Sequence, residues 1–282
     1  MIRSETSVPG ARPPQVLPPS SQAIGRAEPR SAAERACARI EAVWARTEDD
    51  VRAAQALRHR VFAGEMGASL RSVPGTPAGH DADLFDSYCE HLLVRTVETE
   101  AHAPEVVGTY RVLTPDAARR VGGLYTDSEF DLVRLAALRP RMAELGRSCT
   151  DPQWRTGGVI LMLWGSLAQF MQRNGLDIMI GCASVPMTDG GRHAAALWHR
   201  LASTHLAPIE RRVTPRLPLP VGGLPDEGQA TIPPLIKGYL ACGARVLGAP
   251  AWDPDFGCAD LPLMLRFADV PAAYQRRFLA GG

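Results

Sequence analysis

The stretch Ala143-Glu144-Leu145-Gly146-Arg147-Ser148-Cys149, followed by Trp154-Arg155-Thr156-Gly157-Gly158, decides how this chain is read. An apolar segment carries a carboxylate and a guanidinium three positions apart. A basic turn with two glycines follows, and residues 158–171 then form an apolar, helix-like run. A strand, a glycine turn and a helix in that order present the helix N-terminus to solvent. Its unpaired N–H groups and positive dipole end suit a phosphate, and glycine lets the backbone come close. On a regular strand Glu144 and Arg147 point to opposite faces. Gly146 between them permits a bulge that would turn both toward one cleft.

Outward from this stretch the chain alternates strand and helix signals. On the N-terminal side, residues 31–44 read as a short helix and residues 48–66 as a second, with Val51, Ala54, Leu57, Val61 and Phe62 on one face. Residues 67–79, with three glycines and two prolines, form a long loop. His91–Val97 and Val106–Leu113 read as an antiparallel pair across a turn at Ala103-Pro104. On the C-terminal side, residues 157–173 are a helix closed near Gly175, 176–183 a buried strand, and 194–205 a helix. This order predicts an α/β fold, a mixed twisted sheet flanked by helices. Residues 208–225 read as an extended, proline-rich connection, 233–242 as a helix with Pro near its start, and 261–267 as a last strand. The expected organisation is a disordered Pro-rich tail over residues 1–30 and one domain over 31–282, with a core at 48–205 and a C-terminal lobe at 206–282.

Composition narrows the function classes. The chain has 282 residues, 45% of them hydrophobic, enough for one substantial core. A formal net charge of +1 gives no argument for nucleic acid. Six scattered cysteines without a CxxC pair read as reduced thiols in a cytoplasmic protein. His91, His193, His199 and His205 have no zinc spacing, so no metal is expected, and no GxSxG or P-loop is present. Ser166 and Gln169 interrupt an apolar run already too short to span a bilayer, which leaves at most peripheral contact with the inner face of a membrane.

Six segments carry a family resemblance: Leu57-Arg58-His59-Arg60-Val61-Phe62 with Glu65-Met66-Gly67-Ala68; residues 83–94; residues 107–113; residues 144–149; residues 180–184; and Leu235-Ile236-Lys237-Gly238-Tyr239-Leu240. Together they resemble the ornithine-acyl carrier protein N-acyltransferases, within the Gcn5-related N-acyltransferase superfamily, and cover most of residues 52–267. The order of Arg58 and Phe62, Asp83 and Asp86, Arg111, and Glu144 with Arg147 is also similar to that of acyl-homoserine lactone synthases. The resemblance implies transfer of a (3-hydroxy)acyl chain from acyl carrier protein to the α-amine of L-ornithine, giving lyso-ornithine lipid. The donor would be an acyl-phosphopantetheine, with no bound cofactor.

Aminolysis of a thioester needs a neutral amine, a stabilised carbonyl oxygen, a held donor arm and an oriented acceptor. Glu144 and Arg147 are the expected catalytic pair, Glu144 as base, since partial burial would raise its pKa. An ion pair of Glu144 with Arg147 or Arg111 that only fixes the strands is the alternative. Arg155, Thr156, Gly157 and Gly158 are the expected phosphopantetheine contacts. Arg58, Asp83, Asp86 and Arg111 are the expected substrate ligands, the acids for a cationic acceptor and the arginines for its carboxylate. The acids read equally as turn caps. Cys149 as a nucleophile is unnecessary, because the amine attacks directly. The basic stretch Arg192–Arg216 reads as a solvated face or as a dock for acidic acyl carrier protein. Another amine acceptor, or a non-catalytic acyl-carrier or lipid-binding module, remains compatible with the residues alone.

Overall fold

The computed structural model describes residues 30–70, 73–155, 157–223 and 230–279. The expected N-terminal tail, apart from Arg30, and Thr156 lie outside these residues. The first described element is α1 (Ala32–Cys37), started by a Ser31–Glu34 capping box. The sequence reading ran this helix to Trp44. Instead Ile40–Trp44 is β1, an edge strand antiparallel to β2 (Glu90–Thr96). Ile40, Val43 and Trp44 suit a half-buried pleat, and pairing with β2 outweighs local helix propensity.

A second capping box, Thr47 with Asp50, starts α2 (Glu48–His59), which runs on as a π-helical turn over Arg60–Glu65. After β2 come β3 (Val106–Leu113), α3 (Pro115–Val121), α4 (Thr126–Glu129), the two-residue β4 (Phe130–Asp131) and a 3-10 segment, Val133–Arg141. The chain continues through β5 (Met142–Thr150), α5 (Gly158–Arg173), β6 (Ile178–Pro186), α6 (Arg192–Thr204) and β7 (Thr214–Pro215), which pairs with β4. It ends with α7 (Pro234–Ala241), β8 (Arg245–Val246), β9 (Ala251–Asp253), β10 (Cys258–Arg266) and α8 (Ala272–Leu279).

The main sheet has the order β1-β2-β3-β5-β6-β10-β8, with β9 also on β10. It is mixed as expected: β5 and β6 are parallel, and the other pairs are antiparallel. Helix α5 covers one face, burying Val159, Leu163, Leu167 and Met171 at four-residue steps against Leu92, Val94, Tyr110 and Val112. Alternation along β3 sends Arg111 to the opposite face, where it meets the acids bonded to α2. From within residues 206–282, β10 joins the main sheet and lies against β6 from Cys258↔Pro186 to Arg266↔Ile178. Helices α6 and α7 share a core with β10 through Leu197, Leu201, Ile236 and Leu261.

Candidate active site

Strands β5 and β6 pair only from Met142↔Ile178 to Glu144↔Ile180, then separate although both continue. A Cβ on Gly181 would lie 2.3 Å from the Leu145 carbonyl oxygen, so β6 passes the point of separation only with glycine there. On its other edge β5 is bulged: Thr109 faces Cys149 and Arg111 faces Gly146, which leaves Arg147 and Ser148 opposite Tyr110 alone. The bulge forms where Gly146 suggested it, but the left-handed residue is Arg147, with φ 50°. For a non-glycine residue this costs about 1–2 kcal/mol. Arg147 is held in place by ion pairs and by two rings, its guanidinium carbon 4.7 Å from the Phe256 centroid and 5.5 Å from that of Tyr125.

A cavity of about 290 Å³ fills the gap and reaches both faces of the sheet. Toward α5 its walls are apolar, with Leu145, Trp164, Leu167, Ala168 and Met179, closed by Tyr239 of α7. The rings of Trp164 and Tyr239 stack at 5.4 Å, and the Tyr239 and Tyr110 hydroxyls hydrogen-bond. Toward the opposite face the walls turn polar: Arg111, Tyr125, Glu144, Arg147, Ser184 and Asp260. Both members of the expected catalytic pair therefore line one cavity.

Beside it lies a network of three arginines and three aspartates. Arg58, 1% exposed, donates to both Asp86 oxygens at 2.8 and 2.6 Å and pairs with Asp81 through Nε at 2.9 Å. Arg111 Nη1 donates to Asp83 at 2.6 Å and to Asp86 at 3.0 Å. Arg147 Nη2 donates to Asp83 at 3.1 Å, and its Nε lies 3.3 Å from Asp81. Burial would raise Asp86, but the Arg58 bonds and the Arg58 and Arg111 charges hold it well below the usual carboxylate range. Asp83 is likewise held low, with Arg111 and Arg147 outweighing its burial. Arg58, Asp83 and Asp86 are thus engaged with one another, and none of them is among the residues lining the cavity. Arg111 and Arg147 are the members that reach it. Asp81, absent from the sequence reading, is the third acid of the set.

Glu144 is 5% exposed and makes neither expected ion pair. Its Oε2 accepts from the Tyr125 N–H at 2.7 Å, and its Oε1 from the Thr126 N–H at 2.6 Å and the Thr126 hydroxyl. It therefore holds the first turn of α4. Burial raises its pKa, partly offset by these donors and by the Arg111 charge. Sequence reasoning missed a second carboxylate in the cavity wall, Asp260 of β10. Its Oδ1 accepts from Ser184 Oγ at 2.7 Å and contacts Cys258 Sγ at 3.5 Å. Burial, with neighbouring Asp253, raises Asp260 to about 6. The only sequence signal was a lone acid beside an apolar strand.

The remaining expected residues lie at the start of α5. Arg155 donates twice to Glu65, at 2.6 and 2.7 Å. Gly157 has φ 89°, and no atom stands within 4 Å of a Cβ on Gly157 or Gly158, so the backbone there is open. None of the three lines the cavity. Burial pushes the Cys149 thiol up to about 12, which leaves it un-ionised near neutrality and a poor nucleophile. In the basic stretch, Arg200, Arg212 and Arg216 donate to the backbone carbonyls of Ala230, Ala207 and Asp127, and so tie loops together. No described helix is long and apolar enough to cross a membrane.

Residues 57–165, which run from the end of α2 through the bulged β5 into the first half of α5, match the acetyltransferase (GNAT) domain family. An L-ornithine N(alpha)-acyltransferase of Rhizobium meliloti (strain 1021) is 35% identical over 92% of this chain and 87% of its own length. The enzyme of the same name from Agrobacterium fabrum is 36% identical over 83% of each chain. Among solved structures, FeeM, an N-acyl amino acid synthase from uncultured soil microbes, shares the fold at 12% identity, with a TM-score of 0.50 over 84% of this chain and 98% of its own. The protein is an N-acyltransferase, and the chain belongs to the L-ornithine N(alpha)-acyltransferase family.

Proposed function

We propose that this enzyme transfers a (3-hydroxy)acyl chain from acyl carrier protein to the α-amine of L-ornithine, forming lyso-ornithine lipid. The observation that carries this reading is the cavity between β5 and β6, apolar toward α5 and polar toward Glu144, Arg111 and Arg147. The names of the relatives support the acceptor. The acyl chain lies in the apolar half, with its thioester carbonyl at the gap. The phosphate of the phosphopantetheine arm sits at the open backbone of Gly157 and Gly158, beside Arg155.

The acceptor enters the polar half, its carboxylate toward Arg111 and Arg147. Asp81, Asp83 and Asp86 hold those two arginines in place, and Arg58 braces Asp81 and Asp86. Glu144 takes one proton from the α-ammonium, directly or through a water. The free amine attacks the carbonyl carbon, the C–N bond forms, the C–S bond breaks, and the thiolate leaves with the second proton lost by the nitrogen. The β5 bulge removes a backbone group from the ladder at the cavity wall, where it can stabilise the developing oxyanion. The product is amphipathic, the reason for expecting contact with the inner face of a membrane.

A mass-spectrometric assay tests the reading. Purified enzyme meets 3-hydroxyacyl carrier protein and an equimolar mixture of ornithine, lysine, glycine and glutamine. N-acyl-ornithine is the expected product. Exclusive acylation of another amine overturns the acceptor, and turnover with acyl-coenzyme A but not acyl carrier protein overturns the donor.

A further inference from the structure

Asp83 and Asp86 are engaged by Arg58, Arg111 and Arg147 and do not line the cavity, so neither is placed to meet a cationic substrate there. The cavity wall holds another acid, on which the Arg147 charge acts only at a distance, without an ion pair. Asp260 is 1% exposed and lines the cavity, yet among the described residues no Lys, Arg or His side chain pairs with it. Its protein contacts, from the Ser184 hydroxyl and the Cys258 thiol, both fall on Oδ1, and no hydrogen bond among the described residues falls on Oδ2. Neighbouring Asp253 adds negative charge and is itself saturated. It accepts from the Tyr125 hydroxyl and from the Asp255 and Phe256 N–H groups, each at 2.9 Å. A buried carboxylate in the wall of a substrate cavity, without an ion-pair partner, is costly unless a cation arrives to meet it.

Register places this oxygen relative to Glu144. Ile180 pairs with Glu144, and Ser184 pairs with Asp260. Residues 180, 182 and 184 share one face of β6, so both carboxylates stand on the polar side of the sheet. The step from residue 180 to 184 is about 13 Å along β6, and the two acids also stand one strand to either side of it, on β5 and β10. Both line the one cavity, so an extended diamino acid held between them puts one amine toward each.

We propose that Asp260 is the residue that selects a diamino acid acceptor, by binding the side-chain ammonium while the α-amine faces Glu144. The inference rests on the proposed transfer to an α-amino acid and adds the determinant of its side chain. Ser184 orients the carboxylate, and Asp253 strengthens its negative field.

The test compares ornithine with norvaline, which has the same carbon skeleton but no side-chain amine. Wild-type enzyme is expected to prefer ornithine in kcat/KM by at least ~10-fold, as a charge-assisted contact requires. In Asp260→Asn that preference falls to within about 3-fold of unity, with the change mainly in the KM for ornithine. If D260N does not fold, as judged by its thermal transition, Asp260→Ser is used instead. A variant that keeps the preference, or loses turnover of both acceptors by the same factor, overturns the proposal. So does a wild type that uses ornithine and norvaline equally well. A wild type that acylates no α-amino acid overturns the underlying reading instead.

Discussion

Arg147 carries two jobs that the sequence shows only in part. Its spacing from Glu144 and the neighbouring glycine pointed to a bulge, and the bulge is there. The sequence does not show that the arginine itself takes the left-handed conformation, because the ion pairs and rings that hold it come from Asp81, Asp83, Tyr125 and Phe256, distant in the chain. Arg147→Lys keeps the charge but loses the planar stacking and the fork of donors. Steady-state kinetics should show kcat/KM down by roughly 10- to 100-fold with the fold intact, and an unchanged value would remove Arg147 from the site. Asp260 was illegible for the same physical reason. Its meaning depends on β10 lying beside β6, a pairing set by packing rather than by local pattern.

At the scale of elements, the separation of β5 from β6 is the feature on which the proposed chemistry depends. Gly181→Ala forces a Cβ to within 2.3 Å of the Leu145 carbonyl, so the strands must shift beside Glu144. Such overpacking costs typically about 1–3 kcal/mol, readable as a lower denaturant midpoint, and acyl transfer should fall with it. An unchanged midpoint would mean that the strands part for another reason. Helix α5 forms the apolar wall. Ala168→Phe should shorten the acyl chains accepted, measured as the product profile from a mixture of acyl carrier proteins; an unaltered profile would place the chain elsewhere. Helices α5 and α6 and the hairpin β2–β3 were legible because their apolar positions repeat at the helical or strand period. β1 was not, since Ala, Glu and Arg around it favour a helix and only β2 makes it a strand. The two-residue β8 and three-residue β9 are too short to have a period.

The molecule has two sets of buried and half-buried acids that pull stability in opposite directions with pH. Asp260 at about 6 and Glu129 at about 7 are raised, chiefly by burial. A raised folded pKa gives stability that is present below the unfolded value and lost as pH rises through the folded one. Asp83 and Asp86 are lowered, so their contribution is present above the unfolded value, about 4, and lost as pH falls. Thermal stability should therefore rise as pH drops from about 7.5 toward 5 and collapse below about 4. D260N should flatten the upper limb in a melting series across that range. A monotonic rise with pH would contradict these assignments. The same scale marks where the sequence is silent: nothing local shows β10 entering the sheet beside β6, more than seventy residues away in the chain.

The central claim is that acyl transfer occurs at Glu144, in the gap between β5 and β6. The most direct measurement is single-turnover acylation of ornithine by wild type and Glu144→Gln, with binding of acyl carrier protein followed in parallel. Glutamine keeps the size of the side chain and loses the proton-accepting carboxylate. The account predicts a rate lower by about 10²–10⁴-fold with carrier binding unchanged. A Glu144→Gln enzyme that transfers the acyl group at the wild-type rate would contradict it.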